Sequence, residues 1–176
     1  MQTQLNHAEF KQIQKQHKNP ILFVLENLEH MENIGFAFRI ADGFNIDGII
    51  IIANEEISLQ KIQKTARNCE KNIPYTIVSN CREALSIVQK NGYTPLNIEI
   101  TSTSKPLREL SFVDKKIALI VGNEKRGVSE ELLTLVPMSA HIEMYGNNSS
   151  LNVATALSIA TYHISEDIIK KKITEK

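Results

Sequence analysis

Three continuous apolar runs restrict the possible folds of this 176-residue chain more than any other feature of its sequence. They are ILFVL at 21–25, GIIIIA at 48–53 and IALIV at 117–121. A strand that is buried on both faces has such a run, whereas a strand with one wet face alternates apolar and polar residues. The many β-branched isoleucines favour strands over helices here. The runs therefore predict a parallel sheet that is covered on both faces.

Helical patterns separate these runs. The first of them repeats apolar residues at helical spacing: Ile34, Ala37, Phe38, Ala41 and Phe44. Asn33 is positioned to cap that helix. Further helices are predicted over 58–68, 80–91, 129–136 and 150–165, and further strands over 73–78, 96–101 and 141–144. Repeated βα units of this kind predict an α/β fold, with a mainly parallel sheet and helices on both of its faces.

The length and the patterning predict one principal domain. We expect a polar N-terminal helical segment at 1–19, the α/β domain at 20–167 and a basic tail at 168–176 that frays at Lys170, Lys171 and Lys172.

Composition excludes several classes of protein. The apolar fraction of 42% is too high for a disordered chain, and 20 Lys and Arg balance 20 Asp and Glu. Cys69 and Cys81 have neither zinc-type spacing nor a disulfide framework. No secretory signal or membrane-length apolar run is visible. We therefore expect a cytoplasmic protein that requires no metal and no membrane.

The loops after the strands are the segments to search for chemistry, because ligands of open α/β sheets bind at the carboxyl ends of the strands. The loop at 33–39 has one glycine, so the dinucleotide-binding pattern is missing. The loop at 122–129 has phosphate-loop glycine spacing at Gly122 and Gly127, but Val128 stands where that motif needs lysine. It remains either a ligand-binding loop or a tight charged turn.

The third loop, at 142–153, carries polar and small residues into an apolar helix. Ser149 or Ser150 is a candidate N-cap of that helix. Asn152 is a poor helix former at a position one turn into the predicted helix, which makes it a candidate for function.

Together these loops resemble the three signature motifs of the SpoU/TrmH family of RNA 2′-O-ribose methyltransferases, in the SPOUT superfamily. The motifs are NIG with RIADGF at 33–44, IVGNEKRGVS at 120–129, and IEMYG with SLNV at 142–153. The resemblance covers roughly residues 20–165, with the three motifs in order and at matching intervals.

The resemblance implies a deep trefoil knot in the C-terminal part, a homodimer whose active site is completed across the interface, and S-adenosylmethionine as cofactor. By position, the implied cofactor-binding residues are Thr101, Gly122, Ile142, Ser150 and Leu151. Two residues depart from the family pattern: Glu143 replaces the usual proline and places a charge beside the expected adenine site, and Ala154 replaces a frequent serine.

The implied catalytic residues are Arg39, Asn33, Ser150, Asn152 and Glu124. A guanidinium resists deprotonation, so Arg39 is better suited to hold a phosphate or a developing alkoxide than to act as the base. We expect Ser150 and Asn152 to hold the hydroxyl or the cofactor loop, Glu124 to accept backbone N–H bonds that fix the loops, and Asn33 to orient Arg39 or contact RNA.

A candidate RNA-binding surface also follows from the residues. With Arg39, it comprises the basic residues Lys61, Lys64, Arg67 and Lys71. An ordinary solvated helix face is the alternative. Lys11, Lys15 and Lys18 form a second candidate patch.

The sequence thus predicts methyl transfer to the ribose 2′-hydroxyl of structured RNA, with tRNA favoured over rRNA. Three alternatives remain at this point: an rRNA substrate, a catalytically silent RNA-binding protein, and a small nucleotide- or flavin-binding α/β module.

Overall fold

The computed structural model describes residues 3–14 and 17–174. Seven strands form one sheet: β1 (Asn19–Glu26), β2 (Ile46–Ile52), β3 (Tyr75–Val78), β4 (Thr94–Ile98), β5 (Lys105–Pro106), β6 (Ile117–Val121) and β7 (Ser139–His141). Six helices accompany them: α1 (His7–Ile13), α2 (Met31–Gly43), α3 (Leu59–Ala66), α4 (Cys81–Lys90), α5 (Glu130–Leu135) and α6 (Val153–Thr174). The order in the sheet is β3-β2-β1-β6-β4-β7-β5, and the paired strands run parallel.

Alternate residues of the central strands separate the core into two layers. Ile21, Phe23 and Leu25 of β1 face a cluster that includes residues of α2, α3 and α6. Val24 of β1 faces a second cluster that is built with α4 and α5. Helices therefore cover both faces of the sheet, which confirms the predicted fold class and explains the continuous apolar runs. The knot that the resemblance implies stays a prediction from the family.

The first helix of the sheet domain starts earlier than predicted. Asn33 is not its cap: α2 begins at Met31, with His30 at the N-cap position and no side-chain cap bond there. The prediction failed because the amide of Asn33 makes long-range contacts, with Glu124 and Asn152, instead of capping the helix. The carboxylate of Glu124 accepts the N–H groups of Glu29 and His30, at 2.9 and 3.1 Å.

The last helix begins later and extends further than predicted. Neither Ser149 nor Ser150 caps α6; Asn152 Oδ1 accepts the N–H groups of Ala154 and Thr155, at 2.9 and 3.3 Å. The helix continues to Thr174, into the predicted basic tail, because Ile168 keeps an apolar side chain against the core.

Other boundaries also differ from prediction: the strand expected at 96–101, for example, is β4, at Thr94–Ile98. The strand expected at 141–144 is β7, which covers Ser139–His141. It ends there because these are the residues that pair with β4 on one side and with the short edge strand β5 on the other. Among residues 3–14 and 17–19 of the N-terminal segment, which the structure describes, helix covers only His7–Ile13. Lys15, one residue of the second basic patch, lies outside the described residues.

Candidate active site

A carboxylate–amide network joins the loop after β6, the start of α2 and the start of α6. Besides its two backbone bonds, Glu124 accepts a hydrogen bond from Asn33 Nδ2 at 2.8 Å. Asn33 Oδ1 in turn accepts one from Asn152 Nδ2 at 3.2 Å. Asn33 is 6% exposed, so its amide is committed to these two partners. Three of the five predicted catalytic residues are therefore in direct contact.

Hydrogen bonding stabilises the ionised form of Glu124. Burial by itself raises the pKa of this carboxyl, but the bonds from Asn33 and from backbone N–H groups outweigh that effect and lower the pKa below its usual value. The carboxylate also lies at the start of α2, where the helix dipole favours negative charge. A carboxylate held in this way is poorly suited to take up a proton as a general base.

A cavity of about 410 Å³ opens beside this network, at the carboxyl ends of β4, β6 and β7. It is lined by most of the predicted cofactor-binding residues and by two of the network residues: Gly122, Ile142, Ser150, Leu151, Glu124 and Asn152. Thr101 is the exception, since this wall of the lining ends at Ile100. The chain turns there because Ser104 Oγ accepts the N–H of Thr101 and donates to its carbonyl, both at 3.0 Å.

The chemistry of the lining fits a cationic nucleoside cofactor. Ile98, Ile142 and Leu151 offer apolar walls to an adenine ring. The carboxylates of Glu99 and Glu124 are of the sign that attracts a sulfonium or an ammonium group. Gly122 is required for the shape of the loop, because a Cβ there would lie 2.1 Å from the carbonyl carbon of Gly127.

Most backbone N–H groups of the loop at 122–129 already donate to other groups of the protein. Asn123 and Gly127 bond to each other in both directions, at 3.0 and 2.8 Å. Asn123 Oδ1 accepts the N–H groups of Lys125 and Arg126. Those of Val128 and Ser129 donate to the carboxylates of Glu99 and Glu26, each at 2.9 Å. A phosphate-binding loop needs such donors free, so this geometry argues against phosphate binding here.

A second cavity, of about 560 Å³, shares Asn123, Arg126 and Gly127 with the first. Its lining includes five carboxylic residues: Glu26, Glu29, Glu55, Glu56 and Glu130. This charge repels phosphate, so the second cavity is a poor site for nucleotide or RNA backbone.

Arg39 lies away from the first cavity within one chain. Its side chain is exposed on α2, with the guanidinium carbon 5.9 Å from the ring centroid of Phe36. It is close enough to Cys69 to act on its thiol: burial and Asp42 raise the pKa of Cys69, and Arg39 opposes them. The structure therefore does not bring Arg39 to Asn33, although orienting Arg39 was one of the two roles expected for Asn33.

The candidate RNA-binding residues share the surface next to α2. Lys61, Lys64, Arg67 and Lys71 are all exposed on α3 and the 3₁₀ turn that follows it. Ile62 and Ala66 of α3 are buried against α2, and the close packing at Gly35 brings the two helices together. Because Cys69 is in the same turn as Lys71, Arg39 lies beside this basic surface.

Glu143 is turned away from the cavity, contrary to the expectation of a charge beside the adenine site. Ile142 and Met144 line the cavity, while Glu143 pairs with Arg108 at 2.7 Å. Alternation along the extended segment places neighbouring side chains on opposite sides.

Sequence reasoning missed Glu99, Ser104 and His141. Glu99 lines the cavity and accepts a bond from the loop after β6. Ser104 Oγ lies 3.0 Å from Nδ1 of His141, another lining residue. Glu99 directly follows β4 and His141 is the last residue of β7, so their position at strand ends was the signal available. Ser104, just before β5, had no such signal.

The cysteines do not act as nucleophiles in this arrangement. Cys69 and Cys81 are free thiols. Burial and the neighbouring Glu26 raise the pKa of Cys81 to about 11, so its thiol stays protonated near neutral pH.

Among residues 3–14 and 17–174, no group of three or more His, Cys, Asp or Glu is arranged to hold a metal ion. No helix within that part of the chain is long and apolar enough to cross a membrane.

The family model of the SpoU rRNA methylase family matches residues 20–162. The chain belongs to this family. Among curated relatives, a Staphylococcus aureus (strain COL) protein named as a TrmH-family tRNA/rRNA methyltransferase is 27% identical over 163 residues. The match covers 90% of this chain and 65% of that protein, so this member of the SpoU family spans just under two thirds of the relative's length.

Two solved structures show the shared fold. The SpoU methyltransferase AviRb from Streptomyces viridochromogenes, in complex with the cofactor AdoMet, matches with a TM-score of 0.74 and 22% identity. That match covers 82% of this chain and 56% of AviRb. A structure that concerns 2-OH methylation of C/U34 on tRNA matches with a TM-score of 0.72 and 21% identity, covering 85% of this chain and 97% of the other.

Proposed function

We propose that this member of the SpoU family transfers a methyl group from S-adenosylmethionine to the ribose 2′-hydroxyl of a structured RNA. The observation that carries the proposal is the contact network of Glu124, Asn33 and Asn152 beside the first cavity. The network brings one residue of each sequence motif together at one ligand site. A nucleotide-binding module, whose only support is the Gly122–Gly127 loop, would not explain why the other two motifs meet there.

The cavity supports the choice of cofactor. AviRb, whose fold this chain shares, is described in complex with AdoMet. When bound, S-adenosylmethionine supplies a methyl group on a cationic sulfonium, which is already a good leaving group. Gly122, Ile142 and Leu151 would hold it, and much of the acceleration would come from positioning the acceptor oxygen in line.

The acceptor hydroxyl needs residues to hold it and to receive the developing charge. Ser150 and Asn152 at the cavity are placed to bind the hydroxyl or to order the cofactor. Arg39 would stabilise the developing alkoxide or hold an adjacent phosphate. The proton leaves the hydroxyl in or before the transition state.

A homodimer would bring Arg39 to a cavity. Arg39 is exposed and lies outside the cavity lining of its own chain. Large apolar side chains are exposed on α2, which carries Arg39, and on α6. Phe36 on α2 is 40% exposed, and Ile159 and Tyr162 on α6 are 40% and 59% exposed. A second copy that covers these side chains would remove apolar area from water and complete the site.

RNA is the proposed substrate class, and tRNA is favoured over rRNA. The basic surface beside Arg39 is suited to phosphate contacts. The match that spans 97% of a structure concerned with C/U34 methylation on tRNA favours tRNA.

The direct test follows tritium from methyl-labelled S-adenosylmethionine into purified tRNA and rRNA fractions, with ribose methylations mapped in the product. Transfer to the 2′-oxygen of tRNA is the expected result. Label in rRNA alone would move the proposal to the rRNA alternative. Cofactor binding by calorimetry without transfer to either RNA would favour a catalytically silent RNA-binding protein, and binding of ATP or FMN instead would favour the nucleotide module.

A further inference from the structure

Glu99 is a charged residue of the first cavity that none of the three sequence motifs contains. It follows directly after β4, and its side chain lines the cavity. Oε1 accepts the N–H of Ile100 and Oε2 accepts that of Val128, each at 2.9 Å. A Cβ at Gly127 would lie 2.4 Å from Oε2, so the carboxylate is set closely against the neighbouring loop. Its negative charge is therefore fixed in position on the cavity wall.

The other charged groups of the lining are more fully engaged or more exposed. Glu124 is committed to Asn33 and to backbone donors. Lys125 pairs with Glu29, and Arg126 is exposed to water. His141 contacts Ser104. Glu99 uses one acceptor position on each oxygen for the backbone, and a carboxylate oxygen has two.

We propose that the carboxylate of Glu99 makes this cavity bind the sulfonium cofactor more tightly than the neutral thioether product, S-adenosylhomocysteine. The inference rests on the proposed function. The two ligands share their adenosine and amino-acid parts and differ by one methyl group and one positive charge. A fixed carboxylate in a partly desolvated cavity attracts that charge more strongly than it would in water.

Such a preference favours exchange of product for fresh cofactor after each methyl transfer. It strengthens binding of the ground state, in which the sulfur is charged, so it does not accelerate methyl transfer; it acts by letting fresh cofactor compete better with the product for the free site. Glu99 is in this sense a specificity residue of the cofactor site.

The test measures dissociation constants by calorimetry for three ligands, with unmodified protein and with Glu99→Gln. The ligands are S-adenosylmethionine, S-adenosylhomocysteine and sinefungin, in which a protonated amine replaces the methylated sulfonium. We expect Glu99→Gln to weaken the two cationic ligands roughly three- to tenfold and to leave the thioether within about twofold. Unchanged thioether binding would also show that the loops remain folded.

Glu143→Gln is the matched control. It removes a carboxylate from a segment that borders the same cavity, but Glu143 is paired with Arg108 and does not line the cavity. The ratio of sulfonium to thioether affinity should stay unchanged in this variant. Equal weakening of all three ligands by Glu99→Gln would overturn the inference and leave Glu99 as a loop-positioning residue only. Failure of the unmodified protein to bind any of the three would overturn the proposed function as well.

Discussion

At the residue scale, Glu124 holds the segment just before α2 from ninety-five positions away in the chain. One carboxylate satisfies two backbone donors of the α2 start and the amide of Asn33. Removing an acceptor that several partly buried donors share leaves those donors unsatisfied. The residue therefore links the stability of the fold to the geometry of the site.

We expect Glu124→Gln to destabilise the protein by about 1–3 kcal/mol at neutral pH, because the amide cannot accept all of these bonds. The effect depends on pH with a definite sign. The pKa of Glu124 is lower in the folded state than its usual value of 4.5, so the carboxylate stabilises the fold above pH 4.5. That contribution falls as pH drops through the folded-state pKa.

Urea unfolding of both proteins across the acid range measures this effect. The difference in unfolding free energy between unmodified protein and variant should be largest near neutral pH and should shrink below pH 4.5. Glu109→Gln, at an exposed position, is the control and should show little difference at any pH. A gap that stayed constant down to strongly acid pH would contradict the assignment.

For Arg39 we predict an effect on catalysis and not on stability, because this residue contacts neither the network nor the cavity of its own chain. Arg39→Ala should abolish methyl transfer and leave cofactor affinity within a few-fold, as measured by tritium transfer and calorimetry. Because Arg39 is exposed, its truncation should leave the folded stability nearly unchanged, and thermal unfolding checks this. Near-normal turnover in the variant would refute the proposed role.

At the scale of elements, the packing of α2 on α3 positions the basic surface. A Cβ on Gly35 would lie 2.7 Å from Thr65 Cβ and 2.8 Å from the carbonyl oxygen of Ile62. We expect Gly35→Ala to force the helices apart and to cost about 1–3 kcal/mol of stability, with weaker RNA binding. Gly43→Ala, in the same helix with open space around it, should be neutral or slightly stabilising. Comparable losses in both variants would contradict the packing argument.

The elements also show what could be predicted from the sequence. Strand β6 was predicted to the residue, and the run of isoleucines in β2 was recognised, because strands buried on both faces have an unmistakable pattern. Asn80 and Ser129 cap their helices by local bonds, which sequence reasoning can anticipate. The predicted start of α2 was wrong because Asn33, a common capping residue, bonds instead to Glu124 and Asn152, contacts that no local pattern encodes.

The same distinction applies to the candidate site. Motif positions identified Asn33, Glu124 and Asn152, but their mutual contacts span 91 and 119 residues of chain. Glu99 was missed because a single glutamate after a strand has no distinguishing pattern until the fold places it against Val128. Orienting Arg39 was one of two roles expected for Asn33, but the two residues lie on different sides of α2: Asn33 is buried and Arg39 exposed.

At the scale of the whole molecule, a net charge of zero coexists with a local basic surface. The proposed RNA contacts of one subunit involve five side chains: Arg39, Lys61, Lys64, Arg67 and Lys71. We expect the logarithm of RNA affinity to fall with the logarithm of salt concentration with a slope of about −4 per subunit, measured by fluorescence anisotropy. Neutralising one of the lysines should reduce the slope by about one. A much steeper slope would place the RNA on a larger surface.

The last prediction tests the proposed dimer, since it depends on an active site shared between two chains. If Arg39 of one copy serves the cavity of another, two inactive variants should complement each other. The first variant is Arg39→Ala; the second is Leu151→Arg, which places a cation in a cavity proposed for a cationic cofactor, at a residue that is already 38% exposed. In a mixed dimer, one of the two composite sites retains both native parts.

Co-expression with two different affinity tags produces such mixed dimers. Random pairing of the two variants should restore about a quarter of the normal tritium transfer, because half of the dimers are mixed and each has one intact site. Dimers purified through both tags should reach about half of the normal transfer. Activity no greater than the sum of the separate variants would show instead that Arg39 acts within its own subunit, and the site would then have to close by movement of α2 towards the cavity.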